Sequence, residues 1–171
     1  TLLNFKSALK LHLQVRSRST VNCHYNCVLF KKLDIKLLQI KLGLSDLRGQ
    51  RFTYNLSDNP FCPGCLNSIE TVNHYFFECE KYVNYRDELL SDLEGIYFDY
   101  YRMLNVILPV RNNPTQMDLL AICLSGLYPV DDVALSANIV NSIAELNTKL
   151  HRSVINYMYN TRRFSSVYKD Q

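Results

Sequence analysis

FCPGCLNSIETVNHYFFECEKYVNYR, residues 61–86, holds three of the chain's six cysteines and one of its four histidines. Cys62, Cys65, His74 and Cys79 follow a C-x2-C-x8-H-x4-C spacing. Three thiols and one imidazole are a standard ligand combination for a closed structural zinc site. The C-x2-C pair lets two thiolates reach one ion from a single turn. Pro63 presets its own φ there, and Gly64 is expected to supply a positive φ at no steric cost. Thr71 is placed as the N-cap of a short helix that carries His74. Cys79 lies five residues beyond His74, about 140° round an ideal helix, so that helix has to end or loosen before the thiolate turns inward.

Other readings of these residues are weaker. Buried cysteine often serves as a small hydrophobe, and one histidine is commonly a satisfied core residue. Four ligand-type side chains within eighteen positions, led by C-x2-C, are hard to reach that way. A redox dithiol needs a strand before the pair, whereas Leu56-Ser57-Asp58-Asn59-Pro60 reads as a turn. A zinc deaminase needs H-x-E upstream of P-C-x-x-C, and no histidine here is followed two places on by glutamate.

Outward from this stretch the chain reads as mainly α: a helical domain with a small CCHC zinc knuckle and a long C-terminal helix. We divide it into an N-terminal helical segment at 1–58, the knuckle with its following helix at 59–95, and a C-terminal helical segment at 96–171. Residues 1–15 place Leu2, Phe5, Leu9 and Leu13 near helical spacing, and Arg16 to Thr20 form a basic break. Cys23 and Cys27 are expected to share one helical face, with His24 nearby, but lack a fourth ligand. Leu33, Leu37, Ile40 and Leu44 define a helix with Lys31, Lys32, Lys36 and Lys41 on its open face, which Gly43 weakens or ends. Ser45 is then expected to cap a short helix through Phe52, with Arg48 and Arg51 exposed.

Beyond Cys79, the residues Tyr82, Arg86, Leu89, Leu90 and Leu93 mark a helix expected to end near Gly95. Lys81 and Arg86 are set to offset the charge of a three-thiolate centre. The tyrosines between Tyr97 and Tyr101 read as amphipathic core rather than a stacking surface. A buried helix follows over 116–127, stopped by Gly126 and Pro129, with Cys123 in its apolar run. Asp131 and Asp132 have the wrong flanks for a polymerase metal hairpin, and read as cap and first-turn acids. Without Gly or Pro from Val133 to Gln171, one long helix of about seven to nine turns is expected within that stretch, with Ile139, Ile143, Leu146, Leu150 and Val154 on its apolar stripe.

Composition bounds the rest. The chain is 47% hydrophobic and 20% charged, ordinary values for a globular domain. No apolar run approaches the ~18 residues of a membrane span, no secretory signal opens the chain, and no membrane partner is expected. The odd number of cysteines outside the knuckle argues against a disulfide framework and for a reducing compartment, nucleus or cytoplasm. The first residue is Thr1, not methionine, which reads as a fragment or processed piece. Net charge is +3, a weak basic balance, and three thiolates on zinc lower it to about +2.

The run LQIKLGLSDLRGQRFTYNLSDNPFCPGCLNSIETVNHYFFECEKYVNYRDELL resembles the C-terminal region of reverse transcriptases from LINE-like (non-LTR) retrotransposons. The matching positions are Leu42-Gly43-Leu44-Ser45, Phe52, Cys62, Cys65, Glu70-Thr71, His74, Cys79 and Arg86. The close YMYNTRRF, Tyr157 to Phe164, is similar to the I-x-x-T-x-RF close of that region, and the opening NFKSALKLHL also fits it. Two departures are visible: the family often has one residue between its first two cysteines, and Lys41 stands where it often has Arg. The resemblance implies that the polymerase palm and an endonuclease lie outside this chain. The segment is then non-catalytic and helps hold template RNA or target DNA beside an upstream reverse transcriptase domain.

Candidate phosphate contacts are Lys31, Lys32, Lys36, Arg48 and Arg51 on one side and Arg152, Arg162 and Arg163 on the other. The alternative is a scaffold domain in which zinc only supports the fold, marked by a large exposed apolar patch. No nucleophile–base pair, carboxylate pair or phosphate loop stands at a spacing that points to an enzyme.

Overall fold

The computed structural model describes residues 26–104, 114–127 and 136–164, with side chains from Phe30 onward. The molecule is mainly helical. Helix α1 runs Asn26–Lys41, α2 Arg48–Thr53, α3 Val83–Leu104, α4 Gln116–Ser125 and α5 Ala137–Thr161. Among the described residues the one β feature is an isolated antiparallel bridge, Phe61 to Ile69. None of their helices is long and apolar enough to cross a membrane. The expected helix over 1–15, Cys23, His24, Asp131 and Asp132 lie outside the described residues. Cys27 falls within α1.

The leucine pattern of α1 does what its spacing implies, as Leu33, Leu37 and Ile40 are buried. Gly43 ends the helix at φ +69, with Gly43 N–H on Ile40 O and Leu44 N–H on Gln39 O. This pairing is a Schellman motif, and its left-handed position favours glycine. Leu44, expected on the buried stripe, is 60% exposed, because the chain has left the helix by then. Ser45 is not the cap of α2. That helix begins three residues later, with Leu47 at the N-cap position and no side-chain cap bond from it. Ser45 Oγ accepts from Leu47 N–H at 3.3 Å and bonds Gln50, bracing the turn instead.

The long helices α3 and α5 form the most extensive packing in the molecule, and α1 lies against α5 and α4. At 22 and 25 residues they are about 33 and 37 Å long. Gly95 does not end α3. Ile96, Tyr97, Tyr100 and Leu104 extend the buried stripe beyond it, so the boundary drawn at 95/96 falls inside one continuous helix. Buried Tyr97 and Tyr100 bear out the core reading, while Phe98 is exposed.

A Cβ added at Gly95 meets nothing within 4 Å, whereas one at Gly49 would lie 2.6 Å from Glu70 O. Gly95→Ala should therefore raise stability by about 0.5–1 kcal/mol through helix propensity. Gly49→Ala should lower it by about 1–3 kcal/mol through overpacking against backbone. Thermal melts of the two variants check both signs.

Helix α4 opens with a capping box between Thr115 and Asp118 and closes at Gly126, φ +82. Asn147 on α5 clamps that end: its Oδ1 accepts from Leu127 N–H at 2.7 Å and its Nδ2 donates to Leu127 O at 2.8 Å. Cys123 is core, as its apolar neighbours imply, and burial pushes its thiol up to about 12. Helix α5 starts at Ala137 with Ser136 as its N-cap and stops at Thr161, about seven turns, the lower end of the expected length. No glycine or proline stops it. Arg162 takes a left-handed φ of +46, which lets Arg163 and Phe164 fold back onto the body.

Candidate metal centre

Residues 60–82 reach the site through three local devices. Cys62 N–H donates to Ser68 O and Leu66 N–H to Cys62 O, closing a tight loop round the C-x2-C pair. The left-handed residue in it is Leu66, φ +63, and not Gly64 as expected. Glycine at 64 answers a close approach instead: a Cβ there would stand 3.1 Å from Lys81 Cδ and 3.4 Å from Cys62 Sγ. Thr71 does act as the N-cap, its Oγ1 accepting from His74 N–H at 3.0 Å. The helix then loosens into a π-turn, His74–Glu78, and Cys79 N–H reaches back to His74 O at 2.8 Å. The i→i+5 closure brings Cys79 over His74, where an ideal helix would have turned it away.

The four side chains converge, with all their ligand atoms within 4.8 Å of one another. Cys62 Sγ lies 3.6 Å from Cys79 Sγ, and Cys65 Sγ lies 3.4 Å from His74 Nε2. Bonds of ~2.3 Å to a tetrahedral ion set ligand atoms ~3.8 Å apart, close to these separations. A disulfide, with sulfurs ~2 Å apart, does not describe the Cys62–Cys79 pair. Cys62, His74 and Cys79 are buried and Cys65 is half-buried. The cluster is therefore placed to bind a metal ion.

The surrounding groups suit thiolates. Cys62 Sγ accepts from Gly64 N–H at 3.3 Å, Cys65 from the N–H groups of Asn67 and Ser68, and Cys79 from that of Lys81. Burial raises the Cys65 thiol, but the N–H groups of Asn67 and Ser68, with Cys62 and Cys79, outweigh it and bring its pKa below the ordinary value. Burial pushes Cys79 up to about 12, and the adjacent Cys62 sulfur adds to the rise. A divalent cation reverses such a penalty, because a coordinating thiol is deprotonated outright.

His74 presents Nε2 to the cluster and Nδ1 to Glu78 Oε2 at 3.7 Å. A carboxylate behind a ligating imidazole fixes its tautomer and raises its basicity. Glu78 in turn takes a bond from Asn73 Nδ2, whose Oδ1 accepts from Gln116 Nε2 at 3.1 Å.

Tyr75 and Phe76, between His74 and Cys79, seat the knuckle on the core at 0% exposure. Tyr75 packs edge-on against Phe76, Tyr82 and Phe164, with centroids 4.9, 5.7 and 5.6 Å away. Its hydroxyl meets Thr161 Oγ1 at 2.8 Å, and Tyr157 OH donates to Tyr75 O. Arg86 caps the turn, donating to the carbonyls of Phe77 and Cys79. Lys81 lays its stem over Gly64.

Of the candidate phosphate contacts, four gather round two carboxylates. Lys36 pairs with Asp46, and Arg51 lies 3.5 Å from the same group. Arg163 is turned inward: its Nε and Nη2 take both oxygens of Glu70, and Nη2 also donates to Asp46 O at 3.2 Å. Glu70 is fully buried, and its Oε2 accepts from Arg48 N–H at 2.6 Å, serving as a distant cap for α2. Burial works against the Arg163 charge, but Glu70 outweighs it and raises the guanidinium pKa. Arg163 therefore holds the fold and is withdrawn from the phosphate set. Arg162 is exposed beside it; Lys31 and Arg152 are exposed on α1 and α5, and Lys32 is half-buried.

Glu70 and Glu78 were not assigned roles from sequence. Glu78 was findable as the acid four places after His74, whereas nothing local connects Glu70 to Arg163, 93 residues away. Comparison with family models, curated proteins and solved structures finds no match for this chain.

Proposed function

We propose that this chain is a zinc-binding, non-catalytic helical segment that binds nucleic acid as the C-terminal part of a LINE-like (non-LTR) retrotransposon reverse transcriptase. The observation that carries it is the convergence of Cys62, Cys65, His74 and Cys79 at separations suited to one tetrahedral ion. Zinc is the metal this donor set favours, and when bound it ties the loop at 62–65 to the turn at 74–79 as a structural crosslink. The backbone N–H groups on the sulfurs and Glu78 behind His74 then act as the supporting shell.

The family reading draws support from where the matching positions fall. Gly43 sits at the one left-handed position its helix end demands, and Thr71 caps the turn that delivers His74. Glu70 and the closing Arg163-Phe164 pair, distant in sequence, meet beside the knuckle. Lys36, Arg48, Arg51 and Arg162 supply exposed or half-exposed cations for a phosphate-binding set.

A second reading, a zinc-stabilised scaffold domain, is favoured by exposed Leu44, Leu56 and Leu66, at 60%, 63% and 65%. One experiment separates them. Purified protein should carry about one zinc per chain, and its affinity for RNA or DNA should fall steeply between two salt concentrations. A zinc-loaded protein whose binding is absent or flat with salt would leave the scaffold reading in place.

A further inference from the structure

Helix α2 lies against the strand-like approach to Cys62, with Arg48 on Phe61 O and Gly49 N–H on Glu70 O. Arg48 and Phe52 stand one turn apart on α2, and Arg48 Nη1 donates to Phe61 O at 3.4 Å. Ile69 bridges to Phe61 and packs under Gly49, closing the sheet-like edge beside the helix. Arg51 Nη2 donates to Leu56 O at 3.1 Å, and Tyr54 OH to Gly43 O at 3.3 Å. Two aromatic rings stay exposed here, Phe52 at 47% and Phe61 at 43%, while Tyr54, 54% exposed, lies on the Gln50 face of the helix.

We propose that this face binds single-stranded nucleic acid, with bases stacked on Phe52 and Phe61 and phosphates on Arg48 and Arg51. The inference rests on the nucleic-acid reading above, and names the face and the form of nucleic acid it takes. Each guanidinium has five donors, and the bonds to Phe61 O, Leu56 O and Asp46 occupy only part of them. The carbonyl anchors hold both cations beside the rings, so little side-chain freedom is lost on binding a phosphate. Flat rings interleaved with fixed cations match a splayed single strand, which offers base faces and phosphates alternately. A duplex hides its base faces, and a purely apolar partner would make no use of the remaining guanidinium donors.

The test uses the full zinc-loaded chain and a short labelled oligonucleotide of mixed sequence, as RNA and DNA single strands and as a duplex. Phe52→Leu and Phe61→Leu keep apolar bulk but remove the ring. Each should weaken single-strand binding by roughly five- to 100-fold, with zinc content and the salt slope unchanged and duplex binding little altered. Arg51→Gln should instead flatten the salt slope. Unchanged affinity in both phenylalanine variants, with Arg51→Gln weakened, would overturn stacking while leaving the nucleic-acid reading intact. Wild-type protein that binds neither strand nor duplex would end both. Should a variant lose zinc, photocrosslinking of wild-type protein to an iodouracil-substituted strand decides: crosslinks within residues 48–61 are expected, and crosslinks confined elsewhere overturn the proposal.

Discussion

Cys79→Ser is expected to lower zinc content well below one per chain and to release residues 60–82 from hydrogen-exchange protection, while α3 and α5 persist. The size follows from what the knuckle lacks. Its hydrogen bonds close the Phe61–Ile69 bridge, the loop at 62–68 and the π-turn each locally, so a metal ion is the restraint that would join the loop to the turn. Structural zinc contributes roughly 10–16 kcal/mol in small finger peptides, against about 5–15 kcal/mol for a whole domain. Tyr75 and Phe76 would still hold one limb on the core, so the loss of protection is expected to be greatest in the loop carrying Cys62 and Cys65. Cys123→Ser is the control. It buries a hydroxyl where a thiol stood and should cost about 1–3 kcal/mol without touching metal content. Equal zinc in the two variants, by metal analysis, would remove the centre from this account.

The second large effect concerns Arg163. Arg163→Ala leaves the Glu70 carboxylate at 0% exposure, with Arg48 N–H as its remaining partner, Arg163 itself being only 13% exposed. Breaking a buried ion pair by removing one partner costs about 3–5 kcal/mol, because the other charge is stranded. For a chain of this size that is a fall in melting temperature of roughly 6–20 °C. Arg152→Ala, on the exposed face of α5, should change stability by no more than ~0.5 kcal/mol. A melting temperature for Arg163→Ala within a degree or two of Arg152→Ala would show that the pair carries no net stability. The same variant should loosen α2, since Glu70 both caps that helix and holds the chain end.

Much of the molecule was legible from local pattern. The apolar positions of α1 and α5, the glycine end of α1, the core tyrosines of α3 and the Thr71 cap each depend on neighbours within a turn or two. So did the requirement that the helix after His74 loosen, which the π-turn meets. Misread positions had their reasons elsewhere. Gly95 lies within a helix because the stripe of Ile96, Tyr97 and Tyr100 finds α5 to pack on, outweighing the propensity cost of one glycine. Gly64 is small because Lys81 crosses it, and α5 stops without a breaker because Arg163 and Phe164 have buried partners.

By itself the sequence determined a mainly helical chain and a tetrad of metal-type ligands, since period and spacing act over a few residues. Only the tertiary structure decided that Glu70 belongs to Arg163 and that Arg48 is held against Phe61 O. Partners brought together across tens of residues leave no periodic trace, because their pairing is set by how the helices pack and not by what lies next to them in the chain.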